Sequence, residues 1–293
     1  MLQGRHFRLL TQAPIATLVL AVGLLISVVA WRLTDSQIER AARAKFGAIV
    51  ADSRATLQAQ LRSYYDIMRG VQGLFLVTPQ VSRETFRQYV SNLGLTHRPA
   101  GLRALSYSEH VPAASKGAFV NRVRHDDSRG PARFARFDVK PPGERADYVV
   151  LVYTEPLEEN EAGLGLDLTA DPVRGAAILR ARDSGSVIAS GRVSLVSVPI
   201  KDQWGISLRL AVYRPGLPTD TTEQRRRAFM GVVSAVFLVR EMVNDIVWQD
   251  PAKPLQLRVI DTGERGAAAK ADGSDMLLYG TGPLIEAADS FND

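Results

Sequence analysis

The chain has 293 residues, a formal net charge of +5, 46% hydrophobic residues and 23% charged residues. These proportions are typical of a globular protein and exclude a disordered or low-complexity chain. Cysteine is absent, which excludes disulfides, thiolate nucleophiles and cysteine-ligated metal clusters. The four histidines are scattered along the sequence without metal-ligand spacing. We therefore predict neither a metal nor a cofactor.

Residues 9–31 form an apolar segment without a charged residue. A helix of this length spans roughly 35 Å, against a hydrocarbon core of about 30 Å. Arg5 and Arg8 precede the segment, and the positive-inside rule then predicts a cytoplasmic tail over residues 1–8. A cleaved signal peptide is the alternative, although its apolar core usually has only about 7–15 residues. We expect an uncleaved anchor in the inner (plasma) membrane, with the remaining chain periplasmic or extracellular.

The next segment is predicted to be a helical stalk over residues 32–78. Residues 38–76 contain no proline, and apolar or small residues recur every three or four positions. This spacing predicts one long amphipathic helix that continues from the membrane segment and forms a homodimer through its apolar stripe. Packing against the chain's own domain is the alternative, mainly for the second half. Thr78 and Pro79 are expected to end the helix.

Beyond the stalk, the pattern changes to short helices and strands. Ser82 is predicted to cap a short helix that Gly94 closes, and Asp171 is predicted to cap a helix over residues 172–182. Strands are predicted at residues 101–111, 146–156, 193–200, 206–213, 230–239, 255–261 and 276–280. This order of elements is typical of an α+β sensor-like fold.

Sequence motifs of catalysis are missing. The chain has no Gly-x-Ser-x-Gly elbow, no His-Glu-x-x-His pair and no phosphate-binding Gly-x4-Gly-Lys loop. Acidic residues at 155–161 leave open a carboxylate pair for glycoside hydrolysis, although clustered acids in a loop are usually solvated. The basic run Arg225–Arg227 lacks interleaved aromatic residues, which argues against nucleic-acid binding. We predict a chain that is not an enzyme and binds no nucleic acid.

Spaced motifs in residues 153–196 resemble the CHASE domain, the extracellular sensor of bacterial histidine kinases and diguanylate cyclases and of plant cytokinin receptors. The resemblance extends over roughly residues 70–260. The matching motifs are Tyr-x-Glu-Pro at 153–156, Asn160, Gly-x-Asp at 165–167, Asp-Pro-x-Arg at 171–174, Ala-Arg-Asp-Ser-Gly at 181–185 and Ser-Gly at 190–191.

The resemblance implies two PAS-like modules in tandem after the stalk. The membrane-distal sensor is expected at residues 79–215, and the membrane-proximal module, complete or incomplete, at residues 216–293. A small-molecule ligand is expected in the distal module. The resemblance implies a ligand-binding role for Ser190, with Tyr153, Glu158 and Asn160 beside it. An ordinary turn hydroxyl is the alternative for Ser190, and loop capping is the alternative for Asn160.

The resemblance also implies an output domain, such as a histidine kinase or diguanylate cyclase, that is not present in this chain. We therefore expect either a sensor fragment or a stand-alone form. Two other functions stay open from the sequence. One is a membrane-anchored envelope binding or scaffold protein without a small-molecule ligand, and the other is an extracytoplasmic hydrolase.

Overall fold

The computed structural model describes residues 6–78, 80–93, 101–193, 204–247, 258–261 and 277–280. The chain divides into two compact units, residues 1–56 and residues 57–293. Helix α1 (His6–Val77) begins in the first unit and ends in the second. The helix predicted over residues 38–76 is therefore confirmed. It stops one residue before Thr78 because a residue that precedes a proline avoids the α conformation.

In the first unit, α1 carries an exposed apolar surface. Leu20 is 71% exposed, and Leu24 and Val28 are exposed as well. Among the helices that the structure describes, α1 is the one long and apolar enough to cross a membrane. Because large apolar surfaces are rarely left in water, this surface fits the membrane segment predicted at residues 9–31.

Within the described residues, the second unit is built on a five-stranded antiparallel sheet. The strands predicted at 101–111, 146–156, 206–213 and 230–239 are confirmed, while residues 194–200 of another lie outside the described part. The strands are β1 (Leu102–Pro112), β2 (Asp147–Glu155), β3 (Ile188–Ala189), β4 (Gly205–Tyr213) and β5 (Phe229–Leu238), in the spatial order β2-β1-β5-β4-β3.

Helices and their caps surround this sheet. Ser82 is the predicted N-cap of the second helix, since its hydroxyl accepts a hydrogen bond from the Thr85 amide. Asp171 caps the fifth helix in the same way through the Arg174 amide. Gly94, predicted to close the second helix, lies outside the described residues. The helices are α2 (Arg83–Asn92), α3 (Lys116–Arg124), α4 (Leu157–Asn160), α5 (Pro172–Ser184), α6 (Thr222–Ala228) and α7 (Val239–Val247).

Strand β5 corrects the predicted boundary between residues 215 and 216. It lies inside the sheet, paired with β1 on one side and with β4 on the other. A module ending at residue 215 would lack the strand that joins β1 to β4, so the module predicted at residues 79–215 continues at least to Leu238. Beyond it, β6 (Arg258–Ile260) and β7 (Leu277–Gly280) form a separate antiparallel pair. A second PAS-like module there stays a prediction.

The sheet has an apolar face and a polar face because side chains alternate along each strand. On the apolar face, Tyr107 of β1 stacks on Phe75 of α1 with ring centroids 4.1 Å apart, and Tyr64 of α1 contacts Phe237 of β5. These residues belong to the main hydrophobic core. Ser106 precedes Tyr107 in β1 and therefore points to the opposite, polar face.

Candidate functional site

A row of polar side chains crosses the polar face of the sheet. Ser106 of β1 is paired with Thr154 of β2 and with Ser234 of β5, and Ser234 is paired with Arg209 of β4. None of the four is more than 4% exposed. Because paired residues project to the same side of an antiparallel sheet, four neighbouring strands place three hydroxyls and one guanidinium in a single line.

Residues 157–184, which we call the cover, lie over this polar face. Leu168 and Ile178 of the cover pack on Val149, Ala211 and Val232 of the sheet. These contacts form a small apolar core beside the polar row, and they hold the cover against the sheet.

Asp167 fixes the cover to the edge strand β2. Its Oδ1 accepts hydrogen bonds from the Val149 amide at 3.1 Å and from the Thr169 hydroxyl at 2.6 Å. Its other oxygen lies 3.4 Å from the guanidinium of Arg145. The carboxylate is fully buried, and a buried charge is tolerated only when it is paired and hydrogen-bonded in this way.

Gly165 allows the cover to approach the preceding loop closely. Its φ of +81° is in the left-handed region that favours glycine, and a Cβ there would lie 2.1 Å from the carbonyl oxygen of Asp138. Its amide donates to Leu151 O, and its carbonyl accepts from Lys140 N, both at 2.9 Å. The structure therefore explains why the Gly-x-Asp motif has a glycine at position 165.

Between the cover and the polar face lies a cavity of about 80 Å³. Leucine, valine, alanine and glycine residues form much of its wall. Among the residues described, no carboxylate lines it. An apolar wall with a few convergent polar groups is typical of a small-molecule site. The polar wall is formed by Ser106, Thr154, Asn160, Arg174, Ser207 and Arg209.

Arg209 is the most unusual group of this cavity. Its Nη1 donates a hydrogen bond to the Ser234 hydroxyl at 2.5 Å, and its buried Nε has no hydrogen-bond partner in the described part of the chain. Burial, and then the nearby charge of Arg174, lowers the pKa of Arg209 to about 9. The guanidinium still carries its charge at neutral pH, so the cavity has a buried cation in its wall.

Comparison with known families decides what kind of domain carries this cavity. The model of the CHASE domain family matches residues 79–274, which is more than half of the chain. The chain belongs to the CHASE domain family. The resemblance seen in the motifs of residues 153–196 is confirmed, and the matched range includes the sheet, the cover and the cavity. CHASE is a sensor domain and not a catalytic one.

Two further likenesses concern this CHASE domain. The hybrid signal transduction histidine kinase A of Dictyostelium discoideum is 23% identical over 233 residues, which are 76% of this chain and 11% of the relative. The chain thus spans about a tenth of that relative's length. The ligand-binding domain of the Pseudomonas aeruginosa PAO1 amino acid chemoreceptor PctC, solved with GABA, is 11% identical with a TM-score of 0.42. That match covers 75% of this chain and 72% of the solved one.

Two of the four predicted ligand-binding residues lie at or beside the cavity of the CHASE domain. Asn160 lines it, and its amide nitrogen donates to Pro156 O at 2.9 Å and to Arg103 O at 3.3 Å. Ser190 is buried next to the cavity residue Ser207, whose amide donates to the Ser190 hydroxyl at 3.0 Å. The Ser190 hydroxyl in turn donates to Gly191 O. Both side chains thus have clear structural hydrogen bonds.

The other two predicted residues lie elsewhere. Tyr153 is on the apolar face, where its hydroxyl donates to Val81 O at 2.9 Å, and it lines a separate groove of about 740 Å³. Glu158 is exposed, forms an ion pair with Arg129 at 2.9 Å and lines another groove of about 410 Å³. The structure therefore does not bring the four residues together around one ligand.

The groove of about 740 Å³ is larger than the cavity. Its two wall acids, Glu109 and Asp126, each pair with an arginine of the same wall. Arg122 donates to both carboxylate oxygens of Glu109, at 2.6 and 2.8 Å. The buried Arg83 pairs with Asp126 at 2.9 Å and donates to Val152 O. Arg214, Arg226 and Arg227 also line the groove, but none of them is buried. We favour the smaller cavity as the ligand site because its wall contains a buried arginine, Arg209, without an acidic partner in the described part of the chain.

Sequence reasoning missed Arg209, although a signal was present. Ser207 and Arg209 alternate with apolar residues in the strand predicted at 206–213, so both belong to one face of that strand. An arginine between two leucines in a predicted strand is unusual, and the sequence therefore indicated Arg209 as a candidate functional residue. The guanidinium of Arg174, the arginine of the Asp-Pro-x-Arg motif, lies 3.4 Å from Asp171.

Proposed function

We propose that this CHASE domain is the extracytoplasmic sensor of a transmembrane receptor and binds a small molecule in the cavity under the cover. The observation that carries the proposal is the polar row on the sheet. Its charged member, Arg209, is buried in the cavity wall without a carboxylate partner among the described residues. A buried charge of this kind is costly for folding alone, and a ligand compensates it.

The packing of α1 supports a route for the signal. Within the second unit, Tyr64, Met68 and Phe75 of α1 belong to the core on the apolar face of the sheet that carries the site. We propose that the ligand binds two arrangements of this sheet with different affinity and so changes the population of two arrangements of α1. The proposed homodimer through residues 32–78, anchored in the inner membrane, relays this change across the bilayer.

The nature of the output rests on the relative. The matched region of the Dictyostelium protein belongs to a hybrid histidine kinase. We propose a kinase or nucleotide-cyclase output for the receptor to which this sensor belongs. An envelope scaffold without a ligand remains the contrasting hypothesis, and a ligand-binding experiment separates the two.

A thermal-shift screen of the full chain in detergent tests the proposal. The panel contains purines, amino acids, short carboxylates and sugars. A ligand present at about 100 times its dissociation constant stabilises the folded state by about 2.7 kcal/mol, which is readily measured. The screen is repeated with Val236→Phe, which fills the cavity, and with Met230→Trp, which fills the groove of about 740 Å³.

We expect the shift to be lost in Val236→Phe and kept in Met230→Trp, with circular dichroism to show that both variants are folded. The opposite pattern would move the site to the larger groove. No shift with any of the four compound classes would favour the scaffold hypothesis.

A further inference from the structure

The charge of Arg209 has no ion-pair partner among the residues that the structure describes. Arg209 lies in β4, inside the sheet, and is 4% exposed. Its Nη1 reaches the neutral hydroxyl of Ser234, and its Nε has no hydrogen-bond partner within the described ranges. No Asp or Glu among the residues described lies within ion-pair distance of it. By contrast, the buried Arg83 of the same domain is paired with Asp126.

A second cation faces the same space. Arg174 of α5 lines the cavity opposite the sheet, and its own partner, Asp171, is not a wall residue. Two guanidinium groups therefore share a cavity that no carboxylate lines in the described part of the chain. Desolvation and the charge of Arg174 lower the pKa of Arg209, and the charge of Asp171 offsets this only in part. A bound anion would favour the charged form of Arg209 and so offset both effects.

From this arrangement we infer that the ligand of the cavity is a short organic carboxylate, held by Arg209 and Arg174. The inference rests on the proposed function, since it names the ligand class of that same site. Guanidinium groups bind carboxylates through charge-assisted hydrogen bonds. Hydroxyls of Ser106, Thr154 and Ser207 offer further hydrogen bonds in the wall.

The volume of the cavity and the apolar part of its wall further restrict the class of ligand. A cavity of about 80 Å³ has room for a ligand of about six non-hydrogen atoms, each about the size of a water molecule. Leu151, Leu166 and Val236 provide an apolar part of the wall, which suits a hydrocarbon chain better than inorganic phosphate. Because no acid lines the cavity in the described residues, the ammonium group of an amino acid finds no counter-charge.

Calorimetric titration of the full chain in detergent tests this inference with four probes of similar size. They are propionate, its neutral analogue propionamide, the zwitterion β-alanine, and inorganic phosphate. So few atoms limit the dissociation constant of propionate to no tighter than a few micromolar. We expect propionate to bind about ten- to hundredfold more tightly than propionamide, and more tightly than β-alanine or phosphate. This comparison uses the wild-type chain and needs no variant.

Variants then assign the effect to Arg209. Arg209→Met keeps the length of the side chain, and we expect it to weaken propionate binding about ten- to hundredfold without changing the weak affinity for propionamide. Arg180→Met is the control: it removes an exposed arginine of α5, the helix that carries Arg174, and should leave propionate binding unchanged. Circular dichroism checks that both variants are folded.

The failures of the two hypotheses are distinguishable. Equal affinities for propionate and propionamide, tighter binding of β-alanine or phosphate, or an Arg209→Met variant that binds propionate normally would each overturn the carboxylate inference. If propionate does not bind but another compound loses its thermal shift in Val236→Phe, the inference fails and the proposed function stands. If no compound loses its thermal shift in Val236→Phe, the proposed function fails as well.

Discussion

Arg209 of β4 donates a hydrogen bond to the hydroxyl of Ser234 on the adjacent strand β5, and both side chains are buried. The charged guanidinium of Arg209 thus has a neutral hydroxyl as its partner, whereas most buried arginines are paired with a carboxylate. Arg83 is the comparison within the same domain, since its guanidinium pairs with Asp126 and stacks over the ring of Phe134. Each guanidinium has one buried nitrogen without a hydrogen-bond partner in the described part of the chain, but only Arg83 has a carboxylate partner there.

We predict that Arg209→Met leaves the free energy of unfolding unchanged to within about 1 kcal/mol or raises it. The substitution removes an uncompensated buried charge and keeps most of the side-chain volume. Arg83→Met should instead lower the free energy of unfolding by at least about 2 kcal/mol, because it breaks a buried ion pair and removes the arginine donor to Oδ2 of Asp126 and to Val152 O. Denaturant unfolding of the full chain measures both. A larger loss in Arg209→Met than in Arg83→Met would make Arg209 a structural residue.

Asp167 should control how firmly the cover is held. Asp167→Asn retains the shape but removes the charge that pairs with Arg145, so we expect a loss of about 2–4 kcal/mol in unfolding free energy. The matched control is Asp171→Asn on the same cover, because asparagine caps a helix about as well as aspartate. Denaturant unfolding compares the two variants. Equal losses would mean that Asp167 does not anchor the cover.

The end of α5 should contribute to stability in a pH-dependent manner. Hydrogen bonds from Arg226 and Arg182 hold the pKa of the Asp183 carboxyl well below its usual range. A lowered folded-state pKa stabilises the protein above the unfolded-state pKa near 3.9, and this contribution is lost as the pH falls below that value.

We therefore expect wild type to exceed Asp183→Asn in unfolding free energy at pH 7 by up to about 1 kcal/mol, since the ion pair is partly exposed. The difference should shrink as the pH is lowered from about 4. Unfolding curves recorded at several pH values measure it. A difference that does not change with pH would show that the charge of Asp183 is not responsible.

The proposed homodimer can be tested in the stalk because the chain contains no cysteine. Single cysteines at Phe46 or Ile49, which are on the predicted apolar stripe, should form disulfide-linked dimers in membranes more readily than cysteines at Arg43 or Arg54. Non-reducing electrophoresis measures the fraction crosslinked. Equal crosslinking at all four positions, or none, would contradict a dimer through this stripe.

The sequence predicted local structure well because its signals are local. Helix α1 follows from an uninterrupted periodic pattern, and the caps at Ser82 and Asp171 follow from single side chains next to helix starts. The sheet order could not be predicted in the same way, because β5 pairs with β1 across more than a hundred residues of chain. The boundary placed at residue 215 was wrong for this reason.

The candidate site depended even more on long-range pairing. The polar row exists only because the registers of four strands align Thr154, Ser106, Ser234 and Arg209. Motif spacing along residues 153–196 led to Asn160 and Ser190, which lie at or beside the cavity. The same spacing also led to Tyr153, although strand alternation turns that side chain to the opposite face from its neighbour Thr154.

Amide hydrogen exchange most directly tests whether a small molecule binds under the cover. It is measured on the full chain in detergent, with and without a saturating amount of the compound that gives the largest thermal shift. We expect slower exchange in the cover, residues 157–184, and in the part of β4 that contains Ser207 and Arg209. Slower exchange only around residues 80–83 and 107–112, which line the larger groove, would contradict a site under the cover, and so would unchanged exchange throughout.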